Sequence, residues 1–170
     1  MKPNVTLIGM PGAGKSTTGI ILAKCLSYGF VDTDVVIQTS RKKSLQEIMD
    51  EGGYLHLRSI EEEEILALDI ENHVIATGGS AVYSERAMRH LQRISTIVFL
   101  AVDFEIIRKR IHNFETRGIA KAKTQTFRDL FEERQVLYNR YADMVIDCNR
   151  ITQEEAAHII AGKLRGGCEA

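Results

Sequence analysis

Residues 9 to 16 read Gly-Met-Pro-Gly-Ala-Gly-Lys-Ser and follow the apolar run Val5-Thr6-Leu7-Ile8. This is a G-x-x-x-x-G-K-[ST] phosphate-binding loop in the setting it needs, between a strand and a helix. Glycines let the backbone turn tightly and bring its N–H groups close to an anion. A helix starting near Gly14 adds the positive end of its dipole at the same place. Gly12, Ala13, Gly14 and Thr17 are then the phosphate cradle of a nucleoside triphosphate. Lys15 can reach the β- and γ-phosphates, and the Ser16 hydroxyl can ligate Mg²⁺.

Phosphoryl transfer also needs a carboxylate near the metal and a group that selects the acceptor. Asp32 and Asp34 stand at the end of the second apolar run, in Phe30-Val-Asp-Thr-Asp34. Ligands of open α/β sheets bind outside the carboxyl ends of the strands, so both acids face the crevice of the phosphate loop. Asp32 could hold a water on Mg²⁺, and Asp34 could take the proton of an acceptor hydroxyl. Asp34 is equally suited to capping the next helix. The third apolar run ends in Ala76-Thr-Gly-Gly-Ser80. Gly78 and Gly79 let backbone approach a ligand closely, or simply make a tight turn.

Arg58 and Glu61 share one face of a charged helix. Glu61 could orient the Arg58 fork toward a substrate carboxylate, or the two form a surface ion pair worth little. Arg117, with Lys121 and Lys123, lies in a stretch poor in core residues, and Arg134 follows on the next helix. Cations over transferring phosphates are good physics, because the moving group carries charge. Arg110 could stack on an adenine.

Short apolar runs alternate with helical patterns along the whole chain. Strands are expected at 5–9, 30–32, 73–77, 96–101 and 144–147. Helices are expected at 15–26, 45–49, 54–69, 84–91, 104–112, 126–141 and 154–164. Ser44 with Glu47 three residues on makes a capping box, and Ser84, Asp103 and Thr152 are further start signals. This order predicts an α/β fold with a parallel sheet and helices on both faces. The core-poor segments 38–53 and 113–125 are expected to be mobile over a site.

The 170 residues fit one domain, long enough to bury a core without a staple. A net charge of −1 gives no basic stripe for nucleic acid and no attraction to a membrane surface. Cys25, Cys148 and Cys168 are odd in number and far apart, which argues against a disulfide framework or zinc site and for a reducing compartment. Met1-Lys2-Pro3-Asn4 leads straight into the first strand without a signal-peptide pattern, so a cytoplasmic protein is expected.

The motifs together resemble the shikimate kinases. Gly9-Met-Pro-Gly-Ala-Gly-Lys-Ser-Thr17, the Phe30–Asp34 run, Arg58 with Glu61, Ala76-Thr-Gly-Gly79, Arg117, and Glu133-Arg134 with Leu137-Tyr138 occur in that family's order and spacing. The resemblance implies a P-loop NTPase fold like nucleoside monophosphate kinases, five strands, ATP and Mg²⁺, and phosphorylation of a small carboxylate-bearing alcohol, shikimate first. It implies one kinase domain acting as a monomer, with an acceptor region at about 34–60 and a lid at about 113–125. By matching position, Lys15, Asp34 and Arg117 are catalytic, and Ser16 and Asp32 serve the metal. Asp34, Arg58, Gly78, Gly79 and Arg134 hold the acceptor, and Arg110 and Asn149-Arg150 lie near adenine.

Two departures fall beside the acceptor. Ser80 replaces the third glycine of the family's run, adding a side chain to the acceptor floor. The lid reads Arg117-Gly-Ile-Ala120 where Arg-Pro-Leu-Leu is usual. A kinase for homoserine or a similar hydroxy acid is therefore the alternative, with a non-catalytic nucleotide-binding module as the reading from another class.

Overall fold

The computed structural model describes residues 2–111, 119–121 and 124–166. Five strands form one parallel sheet: β1 (Asn4–Ile8), β2 (Gly29–Asp32), β3 (His73–Ala76), β4 (Ser95–Ala101) and β5 (Met144–Asp147). Their spatial order is β2-β3-β1-β4-β5, so β1 is central. Every residue of β1 is buried, as parallel strands covered on both faces must be. Its one amide, Asn4, is satisfied by the carbonyls of Ile70 and Ile94 and by the His73 N–H, so a polar side chain ties three connections together. Leu7, Ile8, Ile75, Val98 and Leu100 are fully enclosed and form the middle of the main core.

The helices are α1 (Lys15–Leu26), α2 (Thr33–Arg41), α3 (Leu45–Leu66), α4 (Glu85–Ile94), α5 (Phe104–Arg110), α6 (Phe127–Tyr141) and α7 (Gln153–Gly166). A 3₁₀ turn, Ala81–Tyr83, follows β3. Ser44 and Glu47 form the expected capping box on α3, and Ser84 caps α4 through the Ala87 N–H. Thr152 and Glu155 bond reciprocally at the start of α7. Asp103 stands at the start of α5 without a side-chain cap. No described helix is long and apolar enough to cross a membrane.

Three expectations change. Residues 33–41 form α2, which sequence periodicity left unassigned because only Thr33 and Ile37 are buried on it. Its cap is Asp32, which accepts the Asp34 N–H at 3.0 Å, so Asp34 is not the cap. Residues 45–49 and 54–69 are one run, α3, ending at Leu66 and kinked at Gly53 (φ 78°, ψ 178°).

The segment 38–53 is thus helical apart from the turn at 42–44, and Ile48 in it is buried. Ile48 joins Ile37, Leu57, Ile60 and Ala120 in a second, smaller core distinct from the one around the sheet. Ile119, next to Ala120, belongs to the main core.

Candidate active site

The phosphate loop runs from the end of β1 to the start of α1. Gly14 sits at the first helical boundary with φ 94°, a left-handed conformation that suits glycine. The loop closes on itself through the Ala13 N–H and the Met10 carbonyl, 3.1 Å apart. Lys15 is buried, and its Nζ donates to the carbonyls of Gly9 (2.8 Å) and Met10 (2.9 Å). Burial pulls the ammonium pKa down to about 8, with Asp34 and Asp32 opposing the shift. It therefore remains a cation at neutral pH.

Ser16 donates its hydroxyl hydrogen to Asp32 Oδ2 at 2.5 Å. A hydroxyl and a carboxylate side by side are hard oxygen donors, the chemistry Mg²⁺ selects. No cluster of three or more His, Cys, Asp or Glu side chains among the described residues could hold a metal by itself. The pair fits an ion whose remaining ligands are phosphate oxygens and waters.

A cleft of about 290 Å³ opens from this loop across the carboxyl ends of β2 and β3. Gly12, Gly14, Lys15, Ser16, Thr17, Asp34, Gly78, Gly79, Ser80 and Arg134, all expected from the sequence, line it together. So do Glu61, Ile119 and Ala120. The Gly78 N–H bonds Thr33 Oγ1 at 3.0 Å, joining the ends of the two strands. A Cβ on Gly78 would collide with Glu61 Oε1 and lie 2.7 Å from Asp34 Oδ1. Only glycine lets both acids crowd this point.

Glu61 is fully buried, and desolvation together with the Asp34 charge pushes its pKa up to about 7. Its Oε2 accepts a short hydrogen bond from Ser80, while its buried Oε1 has no hydrogen-bond partner among the described residues. The expected Arg58–Glu61 pair is therefore not formed. The Ser80 hydroxyl, which a third glycine would lack, takes Glu61, and the Arg58 guanidinium lies instead over the Tyr83 ring, 3.6 Å from its centroid. Arg58 Nη2 donates to the Ala120 carbonyl at 3.3 Å. Arg134 Nη2 donates to the same oxygen at 2.8 Å. The Nε atoms of both arginines are buried without partners among the described residues. Buried polar atoms without partners are uncommon in folded proteins, and Glu61 and Arg134, which carry two of these, line the cleft.

Not every expected residue lines the cleft. Arg58 stands behind Ala120. Asp32 and Ala13 support the loop from outside it. Arg110 Nη1 reaches the Gly12 carbonyl at 3.3 Å, and Arg150 is exposed just beyond β5. Arg117 and most of the expected lid lie outside the described residues. Sequence reasoning missed Tyr83 altogether, since nothing in its spacing distinguishes it from a core aromatic. Tyr138, whose hydroxyl donates to the Gly79 carbonyl at 2.7 Å, entered only as part of a motif.

Residues 11–165 match the family model for shikimate kinase. The chain is 33% identical over 157 residues to a shikimate kinase of Caldanaerobacter subterraneus subsp. tengcongensis, covering 91% of each chain. It is 34% identical to one from Mycobacterium avium, covering 96% of this chain and 94% of that one. Among solved structures it is similar to a shikimate kinase from Acinetobacter baumannii in complex with shikimate. There the TM-score is 0.92 at 26% identity, over 100% of this chain and 97% of that one. The shikimate kinase of Aquifex aeolicus superposes with a TM-score of 0.85 at 30% identity, over 98% of both chains. A thymidylate kinase from Candida albicans, at 15% identity and TM-score 0.57, shares the fold.

Proposed function

The chain belongs to the shikimate kinase family, and we propose how its residues divide the transfer of a phosphoryl group from ATP to a shikimate hydroxyl. The observation that carries the reading is convergence. Lys15, Asp34 and Arg134 line one cleft, and Arg58 closes on the same Ala120 oxygen as Arg134. These are a phosphate cation, a base and a carboxylate fork, the three things this reaction needs.

Lys15 is the cation that follows the charge on the moving group, and it leaves the Gly9 and Met10 carbonyls to do so. Backbone N–H groups from Gly12 to Ser16 cradle the phosphates at the start of α1. Ser16 and Asp32 would hold Mg²⁺, and the ion would offset negative charge on the phosphates. Asp34 accepts the proton of the attacking hydroxyl. Arg58 and Arg134 receive the acceptor carboxylate as bidentate forks, in place of the Ala120 oxygen they now share. Gly78 and Gly79 give the acceptor ring its backbone floor. Arg110, at the loop, and Arg150, beyond β5, flank the adenine end.

The test is ADP release with a panel of small hydroxy acids, shikimate and homoserine among them. Shikimate should win clearly, because a site built on a substrate's polar groups can reject analogues lacking them by ~10⁴-fold. Lys15→Ala should lower kcat by at least ~100-fold with the fold unchanged, as loss of one electrostatic stabiliser does. Rapid release with homoserine alone would move the acceptor assignment. Nucleotide binding with no release on any acid would leave a binding module.

A further inference from the structure

We infer that Tyr83 is the positioning residue for Arg58, holding its guanidinium for the acceptor carboxylate by stacking, in the role an ion pair with Glu61 would otherwise fill. The inference rests on the two arginines receiving that carboxylate.

Arg58 Cζ is 3.6 Å from the Tyr83 ring centroid and 5.0 Å from that of Tyr54. Arg134 Cζ lies 5.5 Å from the same Tyr83 ring. One aromatic ring therefore lies within cation–π range of both cations that meet at Ala120. Two guanidinium groups aimed at one oxygen repel each other, and the negative face of a ring offsets part of that repulsion.

The geometry of a stack differs from that of an ion pair in one decisive respect. A carboxylate such as Glu61 would bind the N–H edge of Arg58, the edge an acceptor carboxylate needs. A ring binds the flat face and fixes its plane, leaving the edge donors for the ligand. Arg58 spends one Nη2 hydrogen bond on the Ala120 carbonyl and, among the described residues, keeps a buried Nε without a partner.

The platform is firmly built. Tyr83 ends the 3₁₀ turn that begins after Ser80, its N–H bonds the Ser80 carbonyl at 3.0 Å, and Ala81 and Val82 are buried. One short turn thus supplies Ser80, which occupies Glu61, and Tyr83, which replaces Glu61 as the partner of Arg58. The Tyr83 hydroxyl sits near Glu133 and Arg134, and burial pushes its pKa up, so it stays neutral. The ring is the part that acts on Arg58.

The experiment compares Tyr83→Phe with Tyr83→Leu on the full chain, using shikimate and its methyl ester. Tyr83→Leu should raise KM for shikimate roughly tenfold, the scale of a lost cation–π contact, and leave kcat and KM for ATP within about twofold. Tyr83→Phe should restore KM for shikimate to within about twofold of the parent protein. On the ester, which lacks the carboxylate charge, the parent and Tyr83→Leu should behave alike. Titration calorimetry with shikimate should give the same order of affinities. If Tyr83→Leu does not fold, Tyr83→Met carries the same comparison. An unchanged KM for shikimate overturns the inference, and so does equal damage to acid and ester, which marks a merely structural ring. A parent protein that neither binds nor phosphorylates shikimate overturns the functional reading beneath it.

Discussion

Arg58 and Arg134 come from different helices and donate to one shared acceptor, the carbonyl oxygen of Ala120, at 3.3 and 2.8 Å. The oxygen bridges two forks as a carboxylate oxygen would. Arg134→Lys keeps the charge and loses the fork. Its KM for shikimate should rise at least ~30-fold while nucleotide binding holds, the usual scale for breaking a buried charged contact. A lysine variant with parental KM would show that charge alone suffices at this position.

The two acids after β2 should separate cleanly. Asp32→Asn still caps α2, since asparagine is an equal cap, but it weakens the Ser16–Asp32 pair. A metal titration should show a raised Mg²⁺ requirement with near-parental stability. Asp34→Asn should bind nucleotide normally and lose at least ~100-fold in turnover, the scale of general-base catalysis. Identical metal curves for the two variants would reverse the roles assigned here.

Glu61 makes stability depend on pH. Its native pKa is raised from 4.5 to about 7. Between those values the native state holds more protons than the unfolded chain, so stability is fully present below pH 4.5 and falls as pH rises through 7. The loss should be ~1–3 kcal/mol, read as the shift in urea midpoint between about pH 5 and about pH 7.5. Glu61→Gln should flatten the curve in that window. Lys15, with its pKa lowered to about 8, titrates mainly above this window, and its deprotonation in the native state works in the opposite direction, raising stability as pH rises.

Gly78 tests the crowding at the end of β3. Gly78→Ala would press a methyl group on Glu61 and Asp34. Shikimate KM should rise at least ~10-fold with ATP affinity within about twofold, a misplacement effect confined to the acceptor. Fluorescence titration with an ATP analogue and steady-state kinetics give the two readings.

The strands and the phosphate loop were legible because their signals are local. A buried parallel strand is a short apolar run, and Gly-Lys-Ser after β1 needs no partner elsewhere to be read. α2 was not legible, since Thr33 and Ile37 alone mark its inner face and the rest is polar. At the site, the nearness of Arg58 and Glu61 in sequence suggested a pair. The structure separates them because Ser80 and Tyr83, which arrive from beyond β3, compete for each partner. Such competition is tertiary and leaves no periodicity. Ser80 was visible as a departure, while the direction of its hydroxyl was not.

The small core of Ile37, Ile48, Leu57, Ile60 and Ala120 has a consequence for time rather than shape. It shares no residue with the core around the sheet, so α2 and α3 as far as Ile60 should open at a lower free energy than β1, β3 and β4. Opening of the smaller core alone would leave the phosphate loop and the sheet intact. Ile119 and Ala120 sit side by side with one in each core, so each opening of the smaller one tugs at the seam where the two arginines meet.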